Sequence, residues 1–450
     1  MANVIRLRKG LNINLKGRAS EQVSKTVVSG EYALVPDGFV GVTPKVVVHE
    51  GDYVKAGDAL FVNKHYLDVK FSSPVSGQVV AVERGERRKV LCVKVKAEDE
   101  QHYQSFDTLD VKAAEGSQVI DLLLKAGLFG YINQLPYAVS TNPTVMPKAI
   151  FVSALRDMPL AADFEVELKG NEEAFQTGLT ALSRIAKTYL GIGVKQQAAA
   201  LVNAKDVEIN VFDGPCPAGN VGVQVNHINP VNKGEAVWTV NPSAVIFFGR
   251  LFMTGKVDLT RTIAVAGSLV KEPSYVSTLV GTPLSVILDS KLTNNEHVRI
   301  INGNPLTGVK SSLNDFLSPC ASEVTVIPEG DNVNEILGWI MPRFGQFSTS
   351  KSYLSWLLGK NKEYTLDARI KGGERHMIMS GEYDKVLPMD IYGEYLIKAI
   401  IAGDIDRMEQ LGIYEVAPED FAVAEFVDSS KLELQHIVRQ GLDMLRKENA

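Results

Sequence analysis

Between Pro36 and Lys96, short β-branched runs alternate with Gly, Pro and Asp at near-regular spacing. No other stretch restricts the fold as tightly. Residues 46–48, 59–62, 79–82 and 90–95 read as short strands. Gly51, Gly57 and Gly77 sit between them and supply the backbone freedom of tight turns, while Asp52 and Asp58 can bond their own backbone there. Many short strands with close turns predict a small closed all-β unit.

The period then changes. Residues 119–126 read as a helix, and Gly127, Gly130, Pro136, Pro143 and Pro147 mark a long irregular segment after it. Residues 149–154 form a buried-strand pattern, and 172–188 a helix with Phe175, Leu179, Leu182, Ile185 and Ala186 on one face. Residues 207–211 and 237–248 supply further strands. This alternation predicts α/β structure with a mainly parallel sheet. From Thr262 to Pro328 the strands shorten around Gly267, Pro273, Gly281 and Pro283. From Asn332 the pattern is helical, notably over 391–412, 421–427 and 432–445.

A chain of 450 residues predicts about three domains. With 45% hydrophobic and 22% charged residues, collagen-like, disordered and coiled-coil structures are excluded. A net charge of -6 gives no basic field for nucleic acid. The longest apolar run, 236–249, is too short to span a bilayer and contains Asn241 and Pro242. It reads as buried strand with a turn. The first residues lack a secretory pattern, so the expected location is cytoplasmic, or at a membrane through partners.

Motifs for chemistry are sparse. Cys92, Cys216 and Cys320 lie far apart, which argues against disulfides, zinc and iron–sulfur ligation. Gly214-Pro215-Cys216-Pro217-Ala218-Gly219 has phosphate-loop glycine spacing, but Asn220-Val221 replace the Lys and Ser/Thr that grip phosphate and Mg²⁺. Its prolines also remove amides from any cradle. Gly191-Ile192-Gly193 lacks a third glycine and reads as following a helix, and Gly127 and Gly130 are separated by bulky residues. His227 reads as a satisfied structural histidine beside an apolar strand. Phe129, Tyr131 and Tyr137 cluster in the Gly/Pro-rich segment. They are candidates to line a flat apolar pocket with hydroxyls directed at a ring ligand's carbonyls; packing of the loop on the sheet is the competing reading.

Residues 50–60, with Ser73-Pro74-Val75-Ser76-Gly77, resemble the biotinyl/lipoyl carrier fold. The carrier's acceptor lysine falls at Tyr66, with Lys64 and Lys70 misplaced on either side, so the resemblance implies the fold without its prosthetic group. A second resemblance spans nearly the whole chain. Phe248-Gly249-Arg250-Leu251-Phe252-Met253-Thr254-Gly255, Arg261-Thr262-Ile263-Ala264-Val265-Ala266-Gly267, Phe344-Gly345-Gln346-Phe347-Ser348, Gly372-Gly373-Glu374-Arg375 and 383–391 occur in order. This set resembles the family of A subunits of bacterial sodium-translocating NADH:quinone oxidoreductases.

That resemblance implies a multidomain α/β and α+β chain: a barrel-sandwich module over 1–100, a Rossmann-like α/β domain over 101–258, a β-grasp domain over 259–330 and a helical domain over 331–450. Gly267-Ser268-Leu269-Val270-Lys271-Glu272-Pro273 and Gly281-Thr282-Pro283-Leu284 resemble the soluble-ligand-binding variant of the β-grasp. The implied function is a peripheral, cytoplasmic-face component of a complex passing electrons from NADH to quinone and exporting Na⁺. Flavins, iron–sulfur centre and membrane spans would belong to other subunits. This chain would carry no bound cofactor, and Phe129, Tyr131 and Tyr137 would serve the quinone. Arg250 and Arg375 are candidate partner contacts. The alternatives are a docking scaffold without a ligand, and an electron-input component binding flavin or NADH, since the family is similar in plan to the flavin- and NADH-binding subunit of respiratory complex I. A related chain of an anaerobic electron-transfer complex would need ferredoxin-type cysteine runs, which are absent. The sequence departs from the complex I relative in its degenerate glycine loop and in having no cysteine after Cys320. It departs from its own family where Asp428-Ser429 stand in place of Cys-Pro after Phe426-Val427.

Overall fold

The computed structural model describes residues 3–293, 296–333, 340–359 and 361–449. The first two strands, β1 (Asn3–Arg6) and β2 (Ser20–Thr26), leave the N-terminus to join sheets built much later in the chain. Seven strands follow: β3 (Glu31–Leu34), β4 (Pro44–Val46), β5 (Tyr53–Val54), β6 (Ala59–Asn63), β7 (Lys70–Ser72), β8 (Gly77–Arg84) and β9 (Val90–Ala97). They pair as two antiparallel sheets, β3-β9-β8-β5 and β4-β6-β7. Alternation along each strand points Phe61, Phe71, Val79, Val93 and Val95 into one shared core.

The second part runs α1 (Gly116–Lys125), β10 (Ile132–Leu135), β11 (Val139–Ser140), β12 (Ile150–Ser153), α2 (Phe164–Leu168), α3 (Glu172–Ile185) and β13 (Thr188–Gly193). It continues through α4 (Ala199–Val202), β14 (Glu208–Asp213), α5 (Val221–Ile228), β15 (Val237–Val240) and α6 (Pro242–Thr254). The sheet order is β1-β14-β13-β12-β15-β10-β11. The first five are parallel, and β10 and β11 are antiparallel additions. Because β13 and β14 lie on one side of β12 and β15 on the other, the winding direction reverses between β12 and β15.

Several local expectations need correction. The apolar run 236–249 is strand only to Val240 and then becomes α6. Asn241 caps that helix, its side chain accepting from Ser243 N at 3.0 Å, with Pro242 in the first turn. A continuous apolar run has no period of its own, so the cap decides where strand becomes helix. Gly191 and Gly193 lie inside β13, where a Cβ on Gly191 would meet Gln224 Oε1 at 1.9 Å. His227 sits on helix α5, not beside a strand, and its Nδ1 lies 2.9 Å from Val223 O.

In the third part, β16 (Thr260–Ala266), β17 (Ser274–Leu279), α7 (Leu284–Ile287), β18 (Val298–Asn302), β19 (Val309–Ser311) and β20 (Glu323–Pro328) build a mixed sheet, β19-β18-β20-β16-β17-β2. The last part holds α8 (Tyr383–Val386), α9 (Gly393–Ala402), α10 (Ile405–Gln410), α11 (Ala422–Val427) and α12 (Leu434–Glu448). The helix expected over 391–412 is divided at Gly403, whose φ of +69° ends α9, and Asp404 caps α10. These helices share a core with Leu7, just after β1, and with Phe212 and Val223 of the second part. Among the described residues, no helix is long and apolar enough to cross a membrane.

Glycines set two close approaches. A Cβ on Gly127 would lie 2.0 Å from Ser72 Oγ, and one on Gly130 2.2 Å from Phe71 Cε1. The glycine pair thus admits barrel strand β7 rather than a nucleotide. Helices α3 and α6 meet the same way: a Cβ on Gly249 would lie 1.7 Å from Ala174 O, and one on Gly178 2.2 Å from Val245 O. We expect Gly249→Ala to force these helices apart and cost about 2–3 kcal/mol of stability. Urea denaturation reads this directly, and an unchanged midpoint would contradict the packing.

Candidate functional site

The carboxyl ends of β12 and β15, where the winding direction reverses, open into a cavity of about 710 Å³. Doubly wound sheets bind ligands outside such a point, because the two loops diverge and leave a crevice. Here all four parts close over it. The barrel contributes Asp37 and Val40, the third part Asn304 and Cys320, and the last part Glu419 and Arg439.

Beside the cavity lies a buried ionic cluster. Glu167 on α2 and Arg261 on β16 are 2% and 3% exposed. Glu167 Oε2 accepts from Arg156 at 3.0 Å and from Ser243 Oγ at 2.8 Å. Arg156 also reaches Asn241 Oδ1 at 3.3 Å and Ser243 Oγ at 2.9 Å. Arg261 donates to Pro319 O at 2.8 Å, and its Nε lies 3.9 Å from Glu167 Oε1. Burial pulls the Arg261 pKa down, while Glu167 opposes that. The cluster therefore ties the second part to the third at the cavity wall, and removing one partner would strand a buried charge.

Of the three sequence candidates, only Tyr131 lines the cavity. It is 5% exposed, its ring meets Phe39 at 5.1 Å and Phe247 at 5.8 Å, and its buried hydroxyl has no hydrogen-bond partner. Burial raises its pKa, so the hydroxyl stays a neutral donor at neutral pH. Phe129 is fully buried against Trp238 at 5.6 Å. Tyr137 turns to the last part: its carbonyl accepts from Arg439 at 2.6 Å, and its hydroxyl lies 3.4 Å from Asn449 Nδ2. Leu135 and Ala138, its neighbours, do line the cavity. Arg250 is engaged within the chain, donating to Thr260 O and Asn171 Oδ1, both at 2.6 Å. Arg375 is exposed.

Cys320 and Glu419 keep accessible surface at the cavity wall. Burial nevertheless raises the Cys320 thiol against the pull of Arg261, and raises the Glu419 carboxyl against Arg439. Arg156, Glu167, Arg261, Cys320, Glu419 and Arg439 were not among the sequence candidates. One such signal is a charge inside a strand of otherwise uncharged residues, as Arg261 in Thr260–Ala266.

The degenerate glycine loop leads into α5, where a flavin or nucleotide phosphate would sit. Asp157 already holds that position. Its Oδ2 accepts from Gly219 N at 3.0 Å, while its buried Oδ1 has no partner. Asp420 Oδ1 accepts from Asn220 Nδ2 at 3.2 Å, and a Cβ on Gly222 would touch Asp420 Oδ2 at 2.2 Å. Two carboxylates and two prolines at this helix start do not fit a phosphate-bearing cofactor.

These carboxylates make stability depend on pH. Burial, then the nearby Glu419 charge, pushes Asp420 from 3.8 up to about 7, and burial pushes Asp157 up to about 6. Groups that hold their proton more tightly when folded contribute fully in acid, and that contribution is lost as pH climbs through the raised values. We expect the melting temperature to fall as pH rises from about 4 to about 7. Asp420→Asn, whose amide oxygen can still accept from Ala417 N, should flatten that fall by on the order of 2 °C. An unaltered slope in the variant would refute the assignment.

Comparisons with known proteins match profiles to three segments of the chain. The chain matches the family profiles described as the NqrA N-terminal barrel-sandwich hybrid domain over residues 5–98, the NqrA second alpha/beta domain over 114–257 and the NQRA C-terminal domain over 262–312. It is 35% identical to the A subunit of the Na(+)-translocating NADH-quinone reductase of Neisseria meningitidis serogroup A, covering 99% of this chain and 100% of the relative. The proteins of the same name from Pasteurella multocida and Photorhabdus laumondii are 34% and 33% identical over the same shares. A solved chain of an NAD+-reducing [NiFe]-hydrogenase aligns over 48% of this chain and 47% of its own at 13% identity, with a TM-score of 0.35, too low to carry a structural relationship. The chain belongs to the NqrA family, the A subunits of the Na⁺-translocating NADH-quinone reductases.

Proposed function

We propose that this chain is the peripheral NqrA component of a membrane complex that carries electrons from NADH to a quinone and couples the transfer to Na⁺ export. The observation that carries this reading is the identity of 33–35%, end to end, with relatives bearing that name. The chain's position is the cytoplasmic side of the membrane, against the membrane subunits. Flavins and the iron–sulfur centre reside on those other subunits, in keeping with the carboxylate-filled start of α5. We infer a Rossmann-like second part, from its doubly wound order, and a β-grasp third part, with boundaries near 100, 258 and 330.

The cavity is our proposed quinone site. A quinone head is a flat ring with two carbonyl acceptors, and Tyr131 offers it a buried hydroxyl with nothing else to bond. Phe247 and Val40 give the ring an apolar wall. Phe129 supports the site from behind through Trp238, and Tyr137 supports it through the Arg439 contact.

Purification from native membranes through a tag on this chain tests complex membership. We expect membrane subunits in the eluate and NADH-driven quinone reduction that Na⁺ stimulates. A lone chain without activity would discard the reading. Within the active complex, Tyr131→Phe should raise the quinone KM about 3- to 10-fold with kcat nearly kept, the loss of one neutral hydrogen bond. Tyr137→Ala, which keeps the carbonyl held by Arg439 and loses the ring and hydroxyl that face the last part, should weaken quinone-analogue binding more mildly and without unfolding the protein. Unchanged affinity in both variants removes the site from this cavity.

A further inference from the structure

From Ile340 to Lys362 the sequence carries four Lys/Arg and no Asp or Glu, a local charge of +4 within a chain of net charge -6. The same stretch exposes large apolar side chains: Ile340, Met341, Phe344, Trp356, Leu357 and Leu358. Its fold holds them outward. A 3-10 turn over Leu354–Leu358 is seated by Ser355, which is fully buried, while its apolar neighbours face solvent. Leu354 N donates to Pro342 O at 3.2 Å, which brings the 340–344 stretch beside that turn. Phe347 anchors the segment from below, its ring 5.2 Å from Tyr364 and 5.7 Å from Phe426. Lys351 lies 5.3 Å over the Trp356 ring, placing a cation beside the exposed aromatic.

Exposed apolar side chains in a stretch with Lys and Arg and no Asp or Glu in its sequence suit one surface best. Trp and Leu enter the boundary between headgroups and acyl chains, and Lys and Arg pair with anionic phosphates. The cytoplasmic loops of membrane proteins are themselves rich in Lys and Arg, so this stretch would be repelled by them. We propose that residues 340–359, with Lys362, form a membrane-surface contact that takes anionic lipid headgroups and inserts Trp356, Leu357 and Leu358 into the interface. This rests on the peripheral placement proposed above, and adds that the chain touches lipid itself as well as its partner subunits.

The test uses the isolated full-length chain and flotation with vesicles of phosphatidylcholine alone or mixed with phosphatidylglycerol. We expect binding to the mixed vesicles, weak binding to the neutral ones, and release at high salt. Leu357→Ser with Leu358→Ser should weaken binding about tenfold or more. Arg343→Glu with Lys351→Glu should do the same through charge. Leu357, Leu358 and Lys351 are exposed, so thermal unfolding of the leucine pair should match the parent. Arg343 is half-buried over the Tyr353 ring at 5.7 Å, and its pair is compared with the parent by thermal unfolding before binding is read. If one pair fails to fold, the other still decides. No binding to the mixed vesicles, or binding that both variants leave intact, overturns the proposal. So does attachment seen only with vesicles carrying the membrane subunits, which would make the stretch a protein contact and leave complex membership standing.

Discussion

Glu167 and Arg261 meet where two parts of the chain abut, both almost completely removed from water. Neither charge would be tolerable there alone, since an uncompensated buried ion costs several kcal/mol. Together with Arg156, Ser243 and Asn241 they make a network in which helix α2, the start of α6 and strand β16 are mutually required. The geometry of the cavity follows from this constraint. Ser243, whose N–H is capped by Asn241 at the start of α6, also accepts at its Oγ from Arg261 of the third part at 3.2 Å. Small relative motions of the parts would therefore be resisted by charges, not only by apolar packing.

The barrel is built on a different principle. In a carrier module, the hairpin between β6 and β7 would display a lysine to solvent. Here Tyr66 takes that place, and its hydroxyl accepts from Asn142 Nδ2 at 2.9 Å. Ser72 Oγ donates to Ala126 O at 2.5 Å, and Phe61, Phe71, Phe39 and Tyr131 touch in that order, stacked, then tilted, then edge-on, from barrel to sheet. The tip that swings in a carrier is here an anchor. Its aromatic chain ends at the cavity, so the packing of the barrel sets where the Tyr131 hydroxyl points.

How much was legible depended on the range of the interaction. The strand-and-turn rhythm over 36–96 is local, and the strands β6, β8 and β9 lie where that rhythm puts them. The helix expected over 119–126 lies within Gly116–Lys125 to one residue, for the same reason. The run through Val237 to Phe248 misleads because apolar residues alone do not distinguish a buried strand from a buried helix. The Asn241-Pro242 pair carries the information, as a helix start and not a turn. Tyr131 is legible as an aromatic in a Gly/Pro-rich segment. Phe129 and Tyr137, two and six residues away, face elsewhere because a short 3-10 turn and a left-handed Tyr137 (φ +83°) separate their directions. Cys320, Glu419 and Arg439 join them only through tertiary folding, and no spacing rule connects them. Asp428 stands out in the sequence only as a departure from family pattern. In the fold its carboxylate accepts from Ser430 N and Leu432 N ahead of α12, a local turn role that the sequence alone does not reveal.

The opening residues have a consequence for how the molecule comes into being. β1 pairs in parallel with β14, Asn3 opposite Asn210, and β2 lies along β17, where Ser24 bonds Tyr275 across 251 positions of sequence. At ordinary translation speeds, a gap of that length corresponds to roughly 10–50 s of synthesis. The barrel can close while the ribosome is still working, yet the strands that precede it must wait beside it, unpaired. Backbone made before the barrel is thus satisfied after it. A nascent chain of this kind carries β1 unpaired until Asp213 has been made and β2 until Leu279, and these strands then stitch two still-growing sheets to the module between them.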